Sequence, residues 1–293
     1  AGELYVAMRG ERVEGTECAP AALLAGAGGV VVPRGRGRAL DAYGPAVVIE
    51  VDDTLAALQA LGRRVRRESG TRVVAITGSA GKTTTKEVTA EFLAARYRVI
   101  RNRGNLNNHI GLPLSLIELR QRPEIAVVEL GMNHAGEIST LVRIAEPDVR
   151  VWTNVGEAHL GFFGSVDDIA DAKAEILEEA TSSTILVANA DDGRIAARTS
   201  LFAGRVVTFG IERAADVRAS AVVDRGIEGT TARVSTPSGS FEVTTPLVGR
   251  GNLSNVLAAT AVAIQFEVPL DAIAERATRL QPAAHRGQVV RLP

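Results

Sequence analysis

A glycine-rich run carries the residue types that hold the phosphates of a nucleotide triphosphate: Thr77-Gly78-Ser79-Ala80-Gly81-Lys82-Thr83-Thr84-Thr85. Glycines let backbone N–H groups approach phosphate oxygens, a lysine supplies positive charge, and a threonine hydroxyl can bind Mg²⁺. The run follows the apolar stretch Arg72–Ile76 and precedes a helix-like stretch from Lys86 to Arg96. Because Ile76 stands where the general P-loop has its first glycine, the match is to a compact GxxGKT form. Strand, loop and helix together predict a phosphate site.

Two further polar residues follow apolar runs that are typical of neighbouring strands. Glu129 ends the run Ile125–Val128, and His159 follows the run Val149–Val155 after a short loop. Since ligands gather at the carboxyl ends of parallel strands, we expect both side chains near the P-loop. Glu129 can hold Mg²⁺ there, and its alternative is a strand-end charge that faces water. A lone histidine is more often structural.

Lys173 lies in the middle of an apolar helix face. Ser165 is typical of an N-cap, and the helix that follows predicts one continuous stripe of Ile169, Lys173, Ile176, Leu177 and Ala180. In one interpretation the stem covers apolar surface and the ammonium reaches water. In the other, burial lowers the pKa of Lys173 and leaves a neutral amine that can take up CO₂ as a carbamate, an anion able to bind a metal.

Composition and charge exclude several function classes. The 293 residues predict two domains, and 33 Lys and Arg against 34 Asp and Glu leave a net charge of −1, so no broad basic field is present for nucleic acid. The apolar runs are of strand length, which predicts no membrane insertion and a cytoplasmic protein. The single cysteine, Cys18, is predicted to be a small buried hydrophobe rather than a catalytic thiol.

The order of apolar runs predicts an α/β fold in two parts. Residues 1–69 alternate short β-like runs with helical stretches, which predicts a small α/β domain; residues 70–293 carry longer, continuous apolar strands, which predict a mostly parallel sheet covered on both faces. Closely spaced strands over Arg205–Thr245 predict a smaller antiparallel side sheet, and two helices follow. The basic cluster Arg63–Arg67 is predicted to be a solvated helix face.

Five segments together resemble the Mur ligases: Gly78–Thr84, Gly104–Pro113, Glu129–Ile138, Asn154–His159 and Ala172–Ile176. Within that family they are most similar to the members that join D-alanyl-D-alanine to a UDP-N-acetylmuramoyl-tripeptide in peptidoglycan synthesis. The resemblance covers essentially the whole chain. It implies ATP-dependent amide formation through an acyl phosphate, with small-molecule substrates and a monomeric enzyme.

The resemblance also implies a role for individual residues. ATP would be bound by Gly78, Ser79, Ala80, Gly81, Lys82, Thr83, Thr84, Asn255 and Arg286. Thr83 and Glu129 would hold one Mg²⁺, while His159 and carbamylated Lys173 would serve a second metal and, with Lys82, act in catalysis. Asn105, Asn107 and Asn108 would line the muramyl-substrate side of the cleft. The alternative for these asparagines is that they only stabilise a turn.

Three departures from the family pattern bear on these expectations. Gly251 stands where the family usually has histidine, and Glu14-Gly15-Thr16-Glu17 replaces a usual Asp-Gly-His-Asp. Family members also begin with a further uridine-contacting segment and continue past the Arg286 region into a third domain that contacts the amino substrate. We therefore expect the first two domains of such a ligase, able to bind Mg·ATP but not to complete ligation alone.

Two other functions remain open from the sequence. Another Mur-type or a folylpolyglutamate-synthetase-like ligase would share the ATP site. The segments Gly104–Pro113 and Glu129–His134 favour the ligase that uses D-alanyl-D-alanine over these alternatives. A nucleotide-binding module without ligation is the other alternative. Lys82, Glu129, His159 and Lys173 argue against it, because such a module has no need for a lysine that forms a carbamate.

Overall fold

The structure, a computed structural model, describes residues 2–10, 13–44, 46–158 and 160–282. In these ranges the helices are α1 (Gly15–Leu24), α2 (Thr54–Ser69), α3 (Lys82–Leu93), α4 (Gly111–Ile117), α5 (Glu137–Ala145), α6 (Val166–Ala174), α7 (Gly193–Ala196), α8 (Arg250–Gln265) and α9 (Leu270–Ala277). The strands are β1 (Leu4–Val6), β2 (Gly29–Pro33), β3 (Val47–Val51), β4 (Arg72–Thr77), β5 (Val99–Arg101), β6 (Ile125–Glu129), β7 (Val149–Trp152), β8 (Ile185–Asn189), β9 (Arg205–Gly210), β10 (Val217–Asp224), β11 (Thr230–Thr236) and β12 (Gly239–Thr245).

The strands form two sheets, which confirms the predicted α/β class. Strands β1, β2 and β3 make a small parallel sheet, and the others make one sheet in the order β12-β11-β10-β9-β8-β7-β4-β6-β5. From β10 through β9 to β5 the neighbours run parallel, and β10, β11 and β12 pair antiparallel. The antiparallel strands therefore continue the main sheet on one side instead of forming a separate sheet. Strand β4 lies between β6 and β7, where successive connections leave to opposite sides, and ligands bind at such switch points.

Both faces of the large sheet are covered, as the continuous apolar strands predict. One face packs against α3, α8 and α9, with Phe92 and Leu257 in its core; the other packs against α4, α5 and α6, with Leu116 and Trp152 in its core. Burial of this kind removes the strands from water on both sides. Among the described residues, no helix is long and apolar enough to cross a membrane.

Helix α2 fastens the small sheet to the large one. Arg63 and Arg67 pair with Glu146, and Arg66 pairs with Asp148 at 2.7 Å and donates to the backbone carbonyl of Ala145 at 3.0 Å. The acceptors of these arginines lie at the end of α5 and the start of β7. Arg63 and Arg67 still reach solvent, as the predicted solvated face requires, whereas the side chain of Arg66 is largely covered. Exposed pairs contribute little singly, but this cluster shares two carboxylates and orders one helix face.

Helix α6 begins as predicted and ends early. The Ser165 hydroxyl accepts the N–H of Asp168, and the α-helix stops at Ala174, followed by a 3₁₀ turn over Glu175–Leu177. The helix predicted as far as Ala180 was therefore too long, although Ile169, Ile176 and Leu177 are buried in one core and Ala180 packs against it. The guanidinium of Arg150 binds the carbonyls of Ile176 and Glu178, which holds this segment in its non-helical path. Cys18 was also predicted wrongly, because it is exposed on α1.

Candidate nucleotide-binding site

The P-loop connects β4 to α3 at the centre of the large sheet, and only glycine fits two of its positions. Gly78 has a φ of 153°, and a Cβ there would lie 1.9 Å from Thr153 Oγ1. Gly81 has a φ of 80°, and its Cβ would lie 2.4 Å from Asn255 Oδ1. Gly81 is also the N-cap of α3 and brings no side-chain acceptor to the first turn. The helix therefore presents its N-terminal N–H groups and positive dipole end toward the loop.

Asn154, two residues after the neighbouring strand β7, holds the P-loop in shape. Its Oδ1 accepts the N–H of Ala80 at 2.8 Å, its Nδ2 donates to the carbonyl of Ala80 at 3.0 Å, and its carbonyl accepts the N–H of Ser79 at 3.0 Å. Sequence reasoning gave Asn154 no role. The sequence did offer one signal for Asn154, because it follows an apolar strand run whose carboxyl end is expected near the P-loop. Because Asn154 already accepts the N–H groups of Ser79 and Ala80, a phosphate would be left the N–H groups at the start of α3.

A cavity of about 420 Å³ opens beside the loop. Its wall brings together Ser79, Ala80, Gly81, Lys82, Thr83, Asn105, Asn107, Asn108 and Glu129, all of which the sequence predicts at the site. The Lys82 ammonium lies at the loop, where it donates to the carbonyl of Gly78 at 2.7 Å. Residues from three crossover connections thus meet at the carboxyl ends of β4 and β6.

The Glu129 carboxylate fits a role in cation binding. It lines the cavity, yet the residue is only 2% exposed, and its Oε1 has no hydrogen-bond donor among the described residues. No cluster of three or more acidic, histidine or cysteine residues that could hold a metal occurs in the described part of the chain. Mg²⁺ is commonly held by one or two protein groups together with phosphates and water, so Thr83 and Glu129 suit it.

Lys86 and Asn102 stand behind Glu129, and sequence reasoning missed both. The Lys86 ammonium lies 3.2 Å from Glu129 Oε1 without hydrogen-bond alignment, and it donates to the carbonyl of Asn102 at 3.0 Å. Asn102 Oδ1 accepts the N–H of Glu129 at 3.1 Å. One signal was available for Lys86, because it follows Lys82 by four residues and so shares its helix face.

The three asparagines of the substrate segment divide into two kinds. Asn108 Oδ1 accepts the N–H of Gly111 at 2.8 Å, so it supports the start of α4. Asn107 packs on Gly131, whose added Cβ would lie 2.9 Å from the Asn107 amide carbon. Asn105 and Asn107 line the cavity without such a capping bond in the described part of the chain. The structure thus gives Asn108 the turn-stabilising contact and leaves Asn107 at the wall.

Lys173 is buried, with 1% of the residue exposed, so its ammonium does not reach water as in the snorkelling interpretation. Burial, and next the positive charge of Lys82, lower the pKa of Lys173 to about 7. Lys173 is not among the described residues that line the cavity. Two residues on, the Glu175 carboxylate accepts the N–H groups of Gly136 and Ser139 at the start of α5, which fixes α6 to the cavity wall.

Asn255 lies on the other side of the P-loop, on α8. Its Oδ1 is 3.1 Å from Thr85 Oγ1, and it lines a second cavity of about 350 Å³ with Ala80, Gly81, Thr84, Gly251 and Asn252. Gly251 leaves that cavity open where a side chain would otherwise stand. Of the predicted residues, His159 and Arg286 lie outside the described ranges.

The fold and the loop define the class: this is an α/β protein with a P-loop at the centre of a mostly parallel sheet. The Mur ligase middle domain matches residues 76–263, and the chain belongs to the Mur ligase family.

Three relatives show the extent of the similarity. The UDP-N-acetylmuramoyl-tripeptide–D-alanyl-D-alanine ligase of Escherichia coli is 38% identical over 273 residues, which are 93% of this chain and 59% of that protein. MurF from Acinetobacter baumannii superposes with a TM-score of 0.91 at 31% identity, over 100% of this chain and 63% of that one. MurF from Thermotoga maritima, solved in complex with ADP, superposes with a TM-score of 0.81 at 29% identity, over 93% of this chain and 62% of that one. The chain spans about three-fifths of the length of these relatives.

Proposed function

We propose that this chain forms the nucleotide- and acceptor-binding part of a MurF-type ligase, which joins D-alanyl-D-alanine to UDP-N-acetylmuramoyl-tripeptide with ATP. The single observation that carries the proposal is the cavity in which Lys82, Thr83 and Glu129 face the segment of Asn105 and Asn107. A phosphate site and a wall that carries amide side chains would share that space. The relatives that bear this activity in their names match most of the chain.

The reaction follows from the two walls of the cavity. The terminal carboxylate of the muramoyl peptide attacks the γ-phosphate, ADP leaves, and the resulting acyl phosphate is attacked by the amine of D-alanyl-D-alanine, with release of phosphate and a proton. Lys82 and the N–H groups at the start of α3 stabilise charge on the phosphoryl group. Thr83 and Glu129 would hold Mg²⁺, which supplies further charge neutralisation when bound.

Amide side chains suit the acceptor wall. Asn105 and Asn107 can hydrogen-bond a peptide or a sugar without adding charge beside the phosphates. They hold the acceptor so that its carboxylate meets the γ-phosphate in line. On the opposite side of the loop, Asn255 lines the second cavity, and this cavity would hold the adenine. Arg286 would reach the nucleotide phosphates.

Lys173 is proposed to act as a carbamate. Its depressed pKa leaves a substantial neutral amine near neutral pH, and that amine adds to CO₂ with loss of a proton. The carbamate would serve a second metal together with His159. ¹³C NMR with ¹³C-bicarbonate should give a carbamate signal that Lys173→Ala abolishes, and a wild-type protein without that signal would contradict the assignment.

The remaining expectations belong to the same proposal. Residues 1–69 would form the domain for the UDP-linked substrate and residues 70–293 the central ATP-binding domain. We expect a cytoplasmic monomer with a magnesium requirement, because the proposed nucleotide-linked substrates are small molecules of the cytoplasm. The amino substrate would need contacts from a third domain of the kind that the longer relatives have room for.

Calorimetric titration of the 293-residue chain tests the proposed function. ADP should bind in the presence of Mg²⁺ and far more weakly with EDTA, and UDP-N-acetylmuramoyl-tripeptide should bind separately. Asn107→Ala should weaken binding of the tripeptide and leave ADP binding unchanged. A folded sample that binds neither ligand would contradict the proposal, and one that binds only ADP would favour a nucleotide-binding module.

A further inference from the structure

Lys86 is a buried, charged residue to which the proposed function assigns no role. It lies on α3 with 1% of the residue exposed, and its ammonium has three oxygen atoms within 3.2 Å: the carbonyl of Asn102, Oε1 of Glu87 and Oε1 of Glu129. A lysine so deeply buried is rare unless it is paired. Its partners show that the pairing includes the carboxylate proposed to hold the cation.

The contacts of Lys86 keep its charge in place. The Asn102 carbonyl accepts a hydrogen bond from it, and the amide of Asn102 is itself held by the N–H of Glu129 and the carbonyl of Leu106. Glu87 is held from the outside by Arg101 at 2.8 Å. Because two partners other than Glu129 are fixed, the ammonium stays close to Glu129 when a cation approaches the cavity.

A fixed positive charge at this distance has a definite effect on metal binding. It compensates a carboxylate that would otherwise be buried alone, and it repels a divalent cation that binds to the other side of the same carboxylate. The phosphates of a nucleotide bring negative charge and offset that repulsion. Cation binding at Glu129 then depends on a nucleotide that arrives with it.

We propose that Lys86 is a built-in counter-ion of Glu129, which excludes the divalent cation alone and reserves the site for a cation–nucleotide complex. The reservation of the site for a cation–nucleotide complex rests on the proposed function, whereas the counter-ion effect depends only on Lys86 and Glu129. Lys86 is thus a positioning residue for the metal carboxylate and does not touch substrate.

Binding of Mn²⁺ without nucleotide, followed by the electron paramagnetic resonance signal of unbound Mn²⁺, tests the counter-ion effect on the 293-residue chain. Lys86→Met should bind Mn²⁺ at least about tenfold more tightly than wild type, since it removes a unit charge a few ångströms from the cation. Lys86→Arg keeps the charge and should resemble wild type. Arg101→Met is the matched control, because it removes a charge from the same network at a position that pairs with Glu87 and not with Glu129.

Stability measurements keep the test informative if Lys86→Met folds poorly. This variant leaves Glu129 buried without a counter-ion, so its melting temperature should fall, and Mn²⁺ should raise it by more than it raises that of wild type. The double variant Lys86→Met/Glu129→Gln should recover most of the lost stability and lose the response to Mn²⁺. A Lys86→Met protein that Mn²⁺ does not stabilise would overturn the proposal.

The outcomes separate this inference from the proposed function. Unchanged or weaker Mn²⁺ binding by folded Lys86→Met overturns the counter-ion role, whatever ADP does. Tighter Mn²⁺ binding by the variant, in a chain that binds no ADP, supports the counter-ion effect, overturns the reservation for a nucleotide complex and contradicts the proposed function. Tighter Mn²⁺ binding, with ADP binding that needs the cation, supports both.

Discussion

The amino ends and the carboxyl ends of the parallel strands form two opposite edges of the large sheet, the amino edge and the carboxyl edge, and both carry charged residues with different partners. At the amino edge, Arg150 is 2% exposed and binds two backbone carbonyls, and Asp148 accepts from Arg66 and from the N–H of Val73 at 2.7 Å. At the carboxyl edge, Glu129 lines the cavity beside the P-loop, and its Oε1 accepts no hydrogen bond from the described residues, although the Lys86 ammonium lies 3.2 Å away. Hydrogen bonds from Arg150 and Arg66 tie segments of the fold together, whereas the Glu129 carboxylate keeps capacity to accept a contact from a ligand in the cavity.

The pKa values sharpen the contrast. Burial lowers the pKa of Arg150 to about 10, with Glu179 and Glu178 acting in the opposite direction, so the guanidinium stays charged at neutral pH. Burial, and next the like charge of Lys82, together lower the pKa of Lys173 to about 7, so this neighbouring charge acts in the same direction as burial. The neighbouring charges that act on the pKa are therefore of opposite sign for Arg150 and of like sign for Lys173. Substitutions at the carboxyl edge should therefore affect binding, and those at the amino edge should affect stability.

The largest effect is expected at the P-loop lysine. Lys82→Met should weaken Mg·ADP binding about a hundredfold, the amount a hydrogen bond between charged groups contributes. The melting temperature should stay within a few degrees of wild type. Calorimetry and thermal unfolding of the same sample measure both, and a variant with intact ADP affinity would remove the phosphate role from Lys82.

Arg150→Met should have the reverse pattern. It leaves the carbonyls of Ile176 and Glu178 without their donor in a buried place, which should lower the free energy of unfolding by about 2–4 kcal/mol. ADP affinity of the folded variant should be unchanged, since Arg150 lies at the opposite edge from the P-loop. Urea unfolding measures the first quantity. Equal losses of stability and ADP affinity would show that the two edges are not independent.

Lys173→Met should stabilise the protein while it removes a group proposed for catalysis. A lysine with a depressed pKa in the folded state and an ordinary one near 10.5 in the unfolded state costs stability below pH 7, and the cost disappears as pH rises toward 10.5. In buffer without CO₂, we expect the variant to be more stable by about 1–3 kcal/mol at pH 6.5. The difference should shrink steadily up to pH 10. A difference independent of pH would place the ammonium in contact with water.

The two asparagines at the cavity wall should separate folding from recognition. Asn108→Ala removes the acceptor for the first N–H groups of α4 and should cost about 1 kcal/mol of stability. Asn107→Ala should cost less stability and weaken binding of UDP-N-acetylmuramoyl-tripeptide more. Thermal unfolding and calorimetry on both variants measure the two effects. Equal losses in both would assign the whole segment to folding.

The smallest effect is expected at the ion pairs of α2. Hydrogen bonding with Arg67, and next with Arg63, lowers the pKa of Glu146, so its contribution is present above the ordinary carboxyl range and is lost as pH falls through its depressed value. Glu146→Gln should cost about 0.5–1 kcal/mol at pH 7, and the cost should vanish in acid. Glu68→Gln, which removes a pair within one helix, is the matched control and should cost less.

The sequence predicted which segments meet better than it predicted what surrounds them. The structure brings the P-loop, Glu129 and the asparagine segment to one cavity, because phosphate chemistry demands particular residue types in a short run and parallel strands bring separate runs to one edge. Lys86, Asn102 and Asn154 were missed, since their roles come from partners distant in the chain. The same reason explains why the sequence did not predict the ion pairs of Arg63, Arg66 and Arg67, whose acceptors Glu146 and Asp148 become neighbours only through folding.

Two errors in the fold have local causes. Apolar periodicity predicted α6 beyond Ala174, but Arg150 binds the carbonyls of Ile176 and Glu178 on the path that follows. Cys18 was assigned to the core from the preference of its residue type, while its position on α1 faces outward. Residue type predicts burial on average, and the helix face decides it in each case.

A crystal structure of the 293-residue chain with ADP and Mn²⁺ tests the central claim most directly. The account predicts phosphate density against the N–H groups at the start of α3, with an anomalous Mn²⁺ peak between Thr83 and Glu129 and Lys86 still bound to Asn102. Nucleotide density at the amino edge beside Arg150, or a Mn²⁺ peak away from Glu129, would contradict it.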